Sequence, residues 1–255
     1  MANLSFAVLY LQNQATKRFL NHFINLASMK ILIFADIHGE FEKTSKILNT
    51  VKTEGIDLII SPGDFTDMFS IPEGFSQIDI ADMVLQKILS LGVPVFCVPG
   101  NHDPYDVIDL FNEYGVNLHA KIRTFKGIKF VGWGGAETPF NTLFEPTEQE
   151  TKEELSKLEP KIKNQDFILV THNPPFNTNL DRAMSGQHVG SKTIREFIEK
   201  NKPRLAVSAH IHESRGEDKI GESVLFYPGA MFEGYYGIVD IKENKIKCEI
   251  KKLEV

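Results

Sequence analysis

Apolar and polar positions alternate along this chain in two ways. Continuous apolar runs of branched and aliphatic residues read as strands buried on both faces. One covers residues 31–35, and others lie within residues 56–67, 93–103, 167–175 and 205–212. Between them the apolar positions recur at helical spacing. Residues 40–54 place Phe41, Ile47, Leu48 and Val51 on one face, with Gly55 as a stop. Residues 79–91 repeat the pattern before Gly92, and 105–114 form a shorter helix closed by Gly115. Thr147 and Glu150 make a capping box for a helix to Leu158, and residues 191–201 predict another before Pro203. Residues 116–133 read as strands turning at Lys126-Gly127. From Lys219 the pattern is strand-like, with Ile246, Cys248 and Ile250 alternating with charged residues. Residues 69–75 and 132–146 read as loops, the second long enough to carry function or act as a lid.

The five buried runs end alike. The first ends in Asp36 and His38, with Gly39 letting the backbone turn away. The second passes through Pro62-Gly63 to Asp64 and Asp67. The third passes through Pro99-Gly100 to Asn101, His102 and Asp103. The fourth ends at His172, and the fifth at His210 and His212. Sites in open α/β sheets gather outside the carboxyl ends of strands. A single D-x-H is as well explained by a solvated turn, but five runs that each deliver Asp, Asn or His are not. The donor set of carboxylate, amide and imidazole suits divalent transition metals rather than a cysteine-bound structural zinc. A set of this size is too large for one ion.

The motifs D-x-H, G-D-x-x-D, G-N-H-D, a lone His after a strand, and A-H-x-H, in that order, resemble the calcineurin-like metallophosphoesterases. The one departure is Ala209, where that family usually has Gly. T-H-N-P-P at 171–175, Leu180-Asp181, residues 188–191 and T-P-F-N-T at 138–142 resemble the Icc-related predicted phosphoesterase branch. The resemblance spans Met29 to about Tyr236 and implies a four-layer α/β/β/α sandwich of two mixed sheets. It implies two divalent ions (Mn, Fe, Co, Ni or Zn). Asp36, His38 and His212 would hold the first, Asn101, His172 and His210 the second, and Asp64 would give one carboxylate oxygen to each. A hydroxide bridging the ions would then attack phosphorus in line. His102 would stabilise phosphoryl oxygens or protonate the leaving oxygen, with Asp103 orienting it. Asp67 is expected to position a ligand His. Ala209 is expected to keep a negative φ with His210 and His212 still on the metals.

Composition narrows the partners. Hydrophobic content of 42% and charged content of 24% suit a globular protein with a sizeable core. A net charge of −6 disfavours a nonspecific nucleic-acid binder without ruling out a nuclease. The basic candidates near the fourth block are Arg182, Lys192 and Arg195. The expected substrate is a small phosphate mono- or diester or a nucleotide. A nuclease on the same fold and a metal-binding scaffold without activity are the alternatives. Cys97 and Cys248 read as reduced thiols in a cytoplasmic protein. No run suits a membrane span. Residues 29–255 read as one domain. Residues 1–28 read either as an amphipathic extension or as sequence upstream of a natural start at Met29. His188 lies in a Gly-rich loop, either against substrate or in solvent, and His22 and His119 have no assigned role.

Overall fold

The computed structural model describes residues 28–243 and 245–253. The extension at the amino terminus lies outside the described residues except for Ser28, which opens the first strand. The strands are β1 (Ser28–Ile33), β2 (Leu58–Ser61), β3 (Val95–Cys97), β4 (Lys121–Phe125), β5 (Ile128–Trp133), β6 (Phe167–Thr171), β7 (Leu205–Val207), β8 (Gly216–Ile220), β9 (Ser223–Tyr227), β10 (Tyr235–Lys242) and β11 (Lys245–Lys252). The α-helices are α1 (Phe41–Thr50), α2 (Gln77–Leu89), α3 (Val107–Glu113), α4 (Glu148–Ile162) and α5 (Lys192–Asn201). One sheet has the order β11-β10-β1-β2-β3 and the other β4-β5-β6-β7-β9-β8. Each is mixed: β1, β2 and β3 run parallel, as do β5, β6, β7 and β9, while β10, β11, β4 and β8 pair antiparallel.

Strand alternation sorts the apolar residues into three cores, and those cores define four layers. Ile31, Ile33, Leu58 and Ile60 point between the sheets and meet Phe130, Ile168, Val170 and Val207. Leu32, Phe34 and Ile59 point the other way and bury Ile47, Leu48, Val84, Leu85 and Phe111 of α1, α2 and α3. Val131, Trp133 and Leu169 do the same for Leu155, Leu158, Phe197 and Ile198 of α4 and α5. The continuous apolar character of β1, β2 and β6 follows directly, since both faces of each strand are covered. Among the described residues, no helix is long and apolar enough to cross a membrane.

Helix ends differ from the sequence reading by a few residues. α2 starts earlier, at Gln77, because Ser76 and Asp79 form a capping box with Asp where Glu or Gln is usual. The Thr147–Glu150 box opens α4 as expected, but the helix continues with Pro160 in its last turn and ends at Ile162. α3 is limited to Val107–Glu113, and its N-cap is Asp106. Trp133 belongs to β5 rather than to the loop that follows it.

Candidate metal centre

All the expected donors converge at the carboxyl ends of β1, β2, β3, β6 and β7. They fall into two sets of converging ligand atoms, Asp36, His38, Asp64 and His212 in one, and Asp64, His172 and His210 in the other. Asp64 is common to both. Its Oδ1 accepts the His102 backbone N–H at 2.9 Å. Its Oδ2 lies 3.4 Å from His38 Nε2 and 3.4 Å from His172 Nε2. Oδ2 is thus the Asp64 oxygen that faces an imidazole of each set. Asn101 joins the second set through Oδ1, 2.9 Å from His172 Nε2.

Backbone conformation produces this convergence. Asp36, His38, Asp64 and His210 all adopt positive φ, at 51°, 51°, 56° and 80°. Such backbone is costly for a residue with a side chain, and it persists where the surroundings over-determine it. Here the Ile37 and His38 N–H groups both donate to the Asp64 carbonyl, and the His210 N–H donates to Asp36 Oδ1. Two glycines allow the loops to touch. A Cβ on Gly100 would sit 2.0 Å from Asp64 Oδ1, and one on Gly63 would sit 2.5 Å from the Gly100 nitrogen. Ala209 is absent from the left-handed residues; His210, one residue later, makes the turn. Ala209 is fully buried, and its N–H donates to the His172 carbonyl. His210 and His212 remain aimed at the two sets.

The donor set fits divalent cations. His38 Nε2 and His212 Nε2 stand 3.3 Å apart, and Asp64 is the nearest carboxylate to His38. Two imidazole nitrogens that close need a proton or a cation between or beside them. His172 donates Nδ1–H to the Pro62 carbonyl at 2.8 Å, which leaves Nε2 to face Asp64 and Asn101. Fixing one ring nitrogen so that the other presents its lone pair is how metal-ligating histidines are usually held. In the metal-free state burial works against the charged form of His172, but Asp64 overrides it and pushes the imidazole up to about 9. Burial likewise opposes ionisation of Asp64, and the neighbouring His172 holds its carboxyl far below the usual range. Burial and the charge on His172 push His210 down to about 3, so it offers a lone pair.

Three supporting groups lie outside the five donor motifs, one of them, Thr142, closing the T-P-F-N-T stretch. The hydroxyl of Tyr227, buried at the end of β9, donates to Asp36 Oδ2 at 2.6 Å. Its sequence cue is Pro228-Gly229, the same Pro-Gly that follows Ser61 and Val98. Thr142 Oγ1 accepts from Asn101 Nδ2 at 3.1 Å, which turns Asn101 Oδ1 toward His172. Glu145 Oε1 in turn accepts from the Thr142 N–H and the Thr138 hydroxyl, both at 2.6 Å. The long loop after β5 is thus a clamp on Asn101, and its Leu143 and Phe144 N–H groups also donate to the Asn101 carbonyl.

The expected partnership of Asp103 with His102 is corrected. The carboxylate on His102 belongs to Asp67, whose Oδ1 lies 3.1 Å from His102 Nδ1. Asp103 is fully buried and accepts from the Gly100, Phe65 and Thr66 N–H groups at 2.8, 3.2 and 3.0 Å. Burial, and then the Asp64 charge, push its carboxyl up to about 6. Asp103 therefore braces the two loops that carry Asp64 and Asn101. Asp67, expected behind a ligand His, holds His102 instead. The same loop cluster gives His119 a place: it stacks on Trp133 at 4.6 Å, and its Nδ1 accepts the Gly134 N–H at 2.9 Å. His188 donates to or shares a proton with the buried Asp181 at 2.6 Å rather than standing free in solvent.

A double-sheet sandwich with this donor cluster at its strand ends is the framework of a metal-dependent phosphoesterase. The chain belongs to the calcineurin-like phosphoesterase family, whose model matches residues 29–214. It is 34% identical over 228 residues to uncharacterized protein MJ1162 of Methanocaldococcus jannaschii, covering 86% of this chain and 94% of that one. The fold is shared with TT1561 of Thermus thermophilus, at a TM-score of 0.65 and 20% identity over 87% of this chain and 98% of that one. It is also shared with a dimetal phosphatase from Danio rerio, at a TM-score of 0.61 and 11% identity over 89% and 99% of the two chains.

Proposed function

We propose that the chain hydrolyses phosphomono- or phosphodiester bonds of a small molecule or nucleotide with two divalent cations. Asp36, His38 and His212 would hold one, Asn101, His172 and His210 the other, and Asp64 would lie between. The observation that carries this reading is Asp64 Oδ2, equidistant at 3.4 Å from an imidazole of each set. Two cations held this way supply electrophilic activation of phosphorus and of the attacking water. Manganese, iron, cobalt, nickel and zinc all accept this donor set.

The protein's own contribution beyond the ligands centres on His102. Its Nδ1 faces Asp67, so its Nε2 is the nitrogen left to meet a substrate, and its side chain is 19% exposed. Asp67 fixes the orientation of the ring. His102 can then give a proton to the departing ester oxygen or steady the phosphoryl oxygens. Asp103 acts one step back, holding the Asp64 and Asn101 loops at their spacing.

A small ester is favoured over nucleic acid by the state of the basic residues. Arg195 is committed to Glu199 and to the Phe176 and Asn177 carbonyls. Lys192 lies over the Phe176 ring, and Arg182 is paired with His188. A track of free cations for a polyanion is not formed by these three. Free thiols at Cys97 and Cys248 suit a reducing cytoplasm.

The test is a panel of phosphatase and phosphodiesterase substrates with each metal added in turn, run on the wild type and Asp64→Asn. We expect metal-dependent turnover in the wild type. The variant should lose one ion per chain by elemental analysis and nearly all activity. Retention of both ions and full activity by Asp64→Asn would rule out Asp64 as the group between the ions.

A further inference from the structure

Among the described residues, several large apolar side chains left in solvent lie on the loops around the donor cluster, while Tyr114 and Ile250 lie elsewhere. Phe69 and Ile71 follow Asp67, Phe140 and Leu143 lie on the Asn101 clamp, and Met184 and Val189 lie on the loop after β6. Phe69 is 67% exposed, so it serves no core. Yet it is held in place: its N–H donates to Asp67 Oδ1 at 2.9 Å, the same oxygen that meets His102. Its ring stands edge-on to His102 with centroids 5.5 Å apart. A second phenylalanine, Phe232, packs edge-on against His38 at 5.2 Å and His212 at 5.0 Å. His38 and His102 are themselves 4.8 Å apart. The imidazoles that would surround a phosphate are therefore flanked by two phenyl rings.

Exposed aromatic surface at the rim of a site is usually there for a ligand. Phe69 is the exposed ring beside His102, where the ester group of a phosphate seated among His38, His102 and His212 would find it. The rim offers rings and aliphatic chains there, while Arg195 is tied into the fold. That chemistry fits a flat uncharged group better than a run of phosphates. We infer that Phe69, with Phe232, forms an aromatic wall that selects phosphate esters carrying a planar aromatic group. This rests on the phosphoesterase reading above.

Phosphonates give a test that needs no turnover, because their carbon–phosphorus bond is not hydrolysed. Methylphosphonate, phenylphosphonate and the 5′-phosphonate analogue of adenosine monophosphate are titrated calorimetrically into manganese-loaded wild type, Phe69→Ala and Phe69→Leu, with metal content checked in each. The backbone N–H that holds Asp67 survives both substitutions. An aromatic stacking partner contributes roughly tenfold in affinity. Wild type should therefore bind at least one aromatic phosphonate about tenfold tighter than methylphosphonate. Preference for phenylphosphonate identifies an aryl ester, and preference for the adenosine analogue a nucleotide. Phe69→Ala should abolish the preference and leave methylphosphonate within about twofold, and Phe69→Leu should keep only part of it. Equal affinity for all three in the wild type, or an equal loss for all three in Phe69→Ala, overturns the aromatic wall and leaves the phosphoesterase reading standing. If the loaded wild type binds none of them, both fall.

Discussion

At the scale of single residues, the site is governed by which carboxylate meets which donor. Asp67 and Asp103 differ in sequence by their neighbours, and adjacency to His102 suggested Asp103 as its partner. The extended turn after Gly100 points the Asp103 carboxylate back into a nest of N–H groups instead, and Asp67 reaches across from the neighbouring loop. The two acids should therefore fail differently. Asp67→Asn and His102→Ala should both keep their metals. Both should lose more activity on an alkyl phosphate than on a nitrophenyl ester, whose phenolate departs without a proton. General acid catalysis contributes about 10²–10⁴-fold. A loss of equal size on the two esters would assign His102 to charge stabilisation instead. Asp103→Asn should show its defect in melting temperature, since it weakens the brace for three buried N–H groups. A second residue-scale expectation concerns His119. Burial pushes its imidazole down to about 4, below its ordinary 6.5. The unfolded chain therefore binds more protons between those values, and stability from this residue is present above pH 6.5 and drains away as pH falls toward 4. Asn in its place keeps an acceptor for the Gly134 N–H and cannot titrate. On moving from pH 7 to pH 5, urea unfolding should cost the wild type on the order of 1 kcal/mol more than His119→Asn. Parallel losses would mean that His119 is already solvated.

At the scale of elements, the strands and their catalytic ends were legible because burial on both faces leaves no polar position to blur the pattern. Apolar runs (Ile31–Ala35, Leu58–Ile60, Phe167–Val170 and Leu205–Val207) fill the buried part of β1, β2, β6 and β7, and the donors Asp36, Asp64, His172 and His210 follow within four residues of each. What lay beyond reading was long-range pairing. Nothing local marks Tyr227 as the partner of Asp36, 191 residues away, nor Thr142 as the partner of Asn101. The loop read at residues 132–146 was expected from its length to carry function or act as a lid; in the fold it is organised by Glu145, three residues beyond the T-P-F-N-T stretch. That role is testable. Burial pushes the Glu145 carboxyl up, but the hydrogen bonds from Thr138 and Thr142 outweigh it and hold the carboxyl below its usual range, which keeps it an acceptor. Glu145→Ala should release Thr142 and let the Asn101 amide turn away from His172. Loss of such an outer partner typically weakens metal binding 10–100-fold. Competition titration with a chelator should show one of the two ions weakened by that order and the other retained. Unchanged affinity for both would show that the backbone bonds from Leu143 and Phe144 hold Asn101 without Glu145.

At the scale of the whole molecule, the centre joins the two sheets. Asp36, His38, Asp64 and Asn101 come from the sheet of β1–β3, and His172, His210 and His212 from the other. At this edge the sheets are joined by the hydrogen bonds from Tyr227 and His210 to Asp36, by that from His172 to the Pro62 carbonyl, and by the buried pair of Asp64 and His172. The sign of its pH dependence follows from the two shifts. His172 is pushed up to about 9 in the fold against an ordinary 6.5, so its contribution is complete below pH 6.5 and is lost as pH rises through 9. Asp64 is pushed the other way, so its contribution is present above the ordinary carboxylate range and is lost only in acid. Above pH 9 His172 gives up its proton, and a buried carboxylate faces neutral imidazoles, which is costly. In the loaded protein His172 must already be neutral to act as a ligand, so it has no proton left to lose. Chelator-treated and manganese-loaded protein should thus differ modestly in melting temperature at pH 7 and diverge as pH is raised from 8 to 9.5, with the metal-free form falling. Comparing the two forms at each pH cancels the lysines and tyrosines that titrate in both. A separation that stays constant across that range would mean that Asp64 and His172 do not form a charged pair in the metal-free protein.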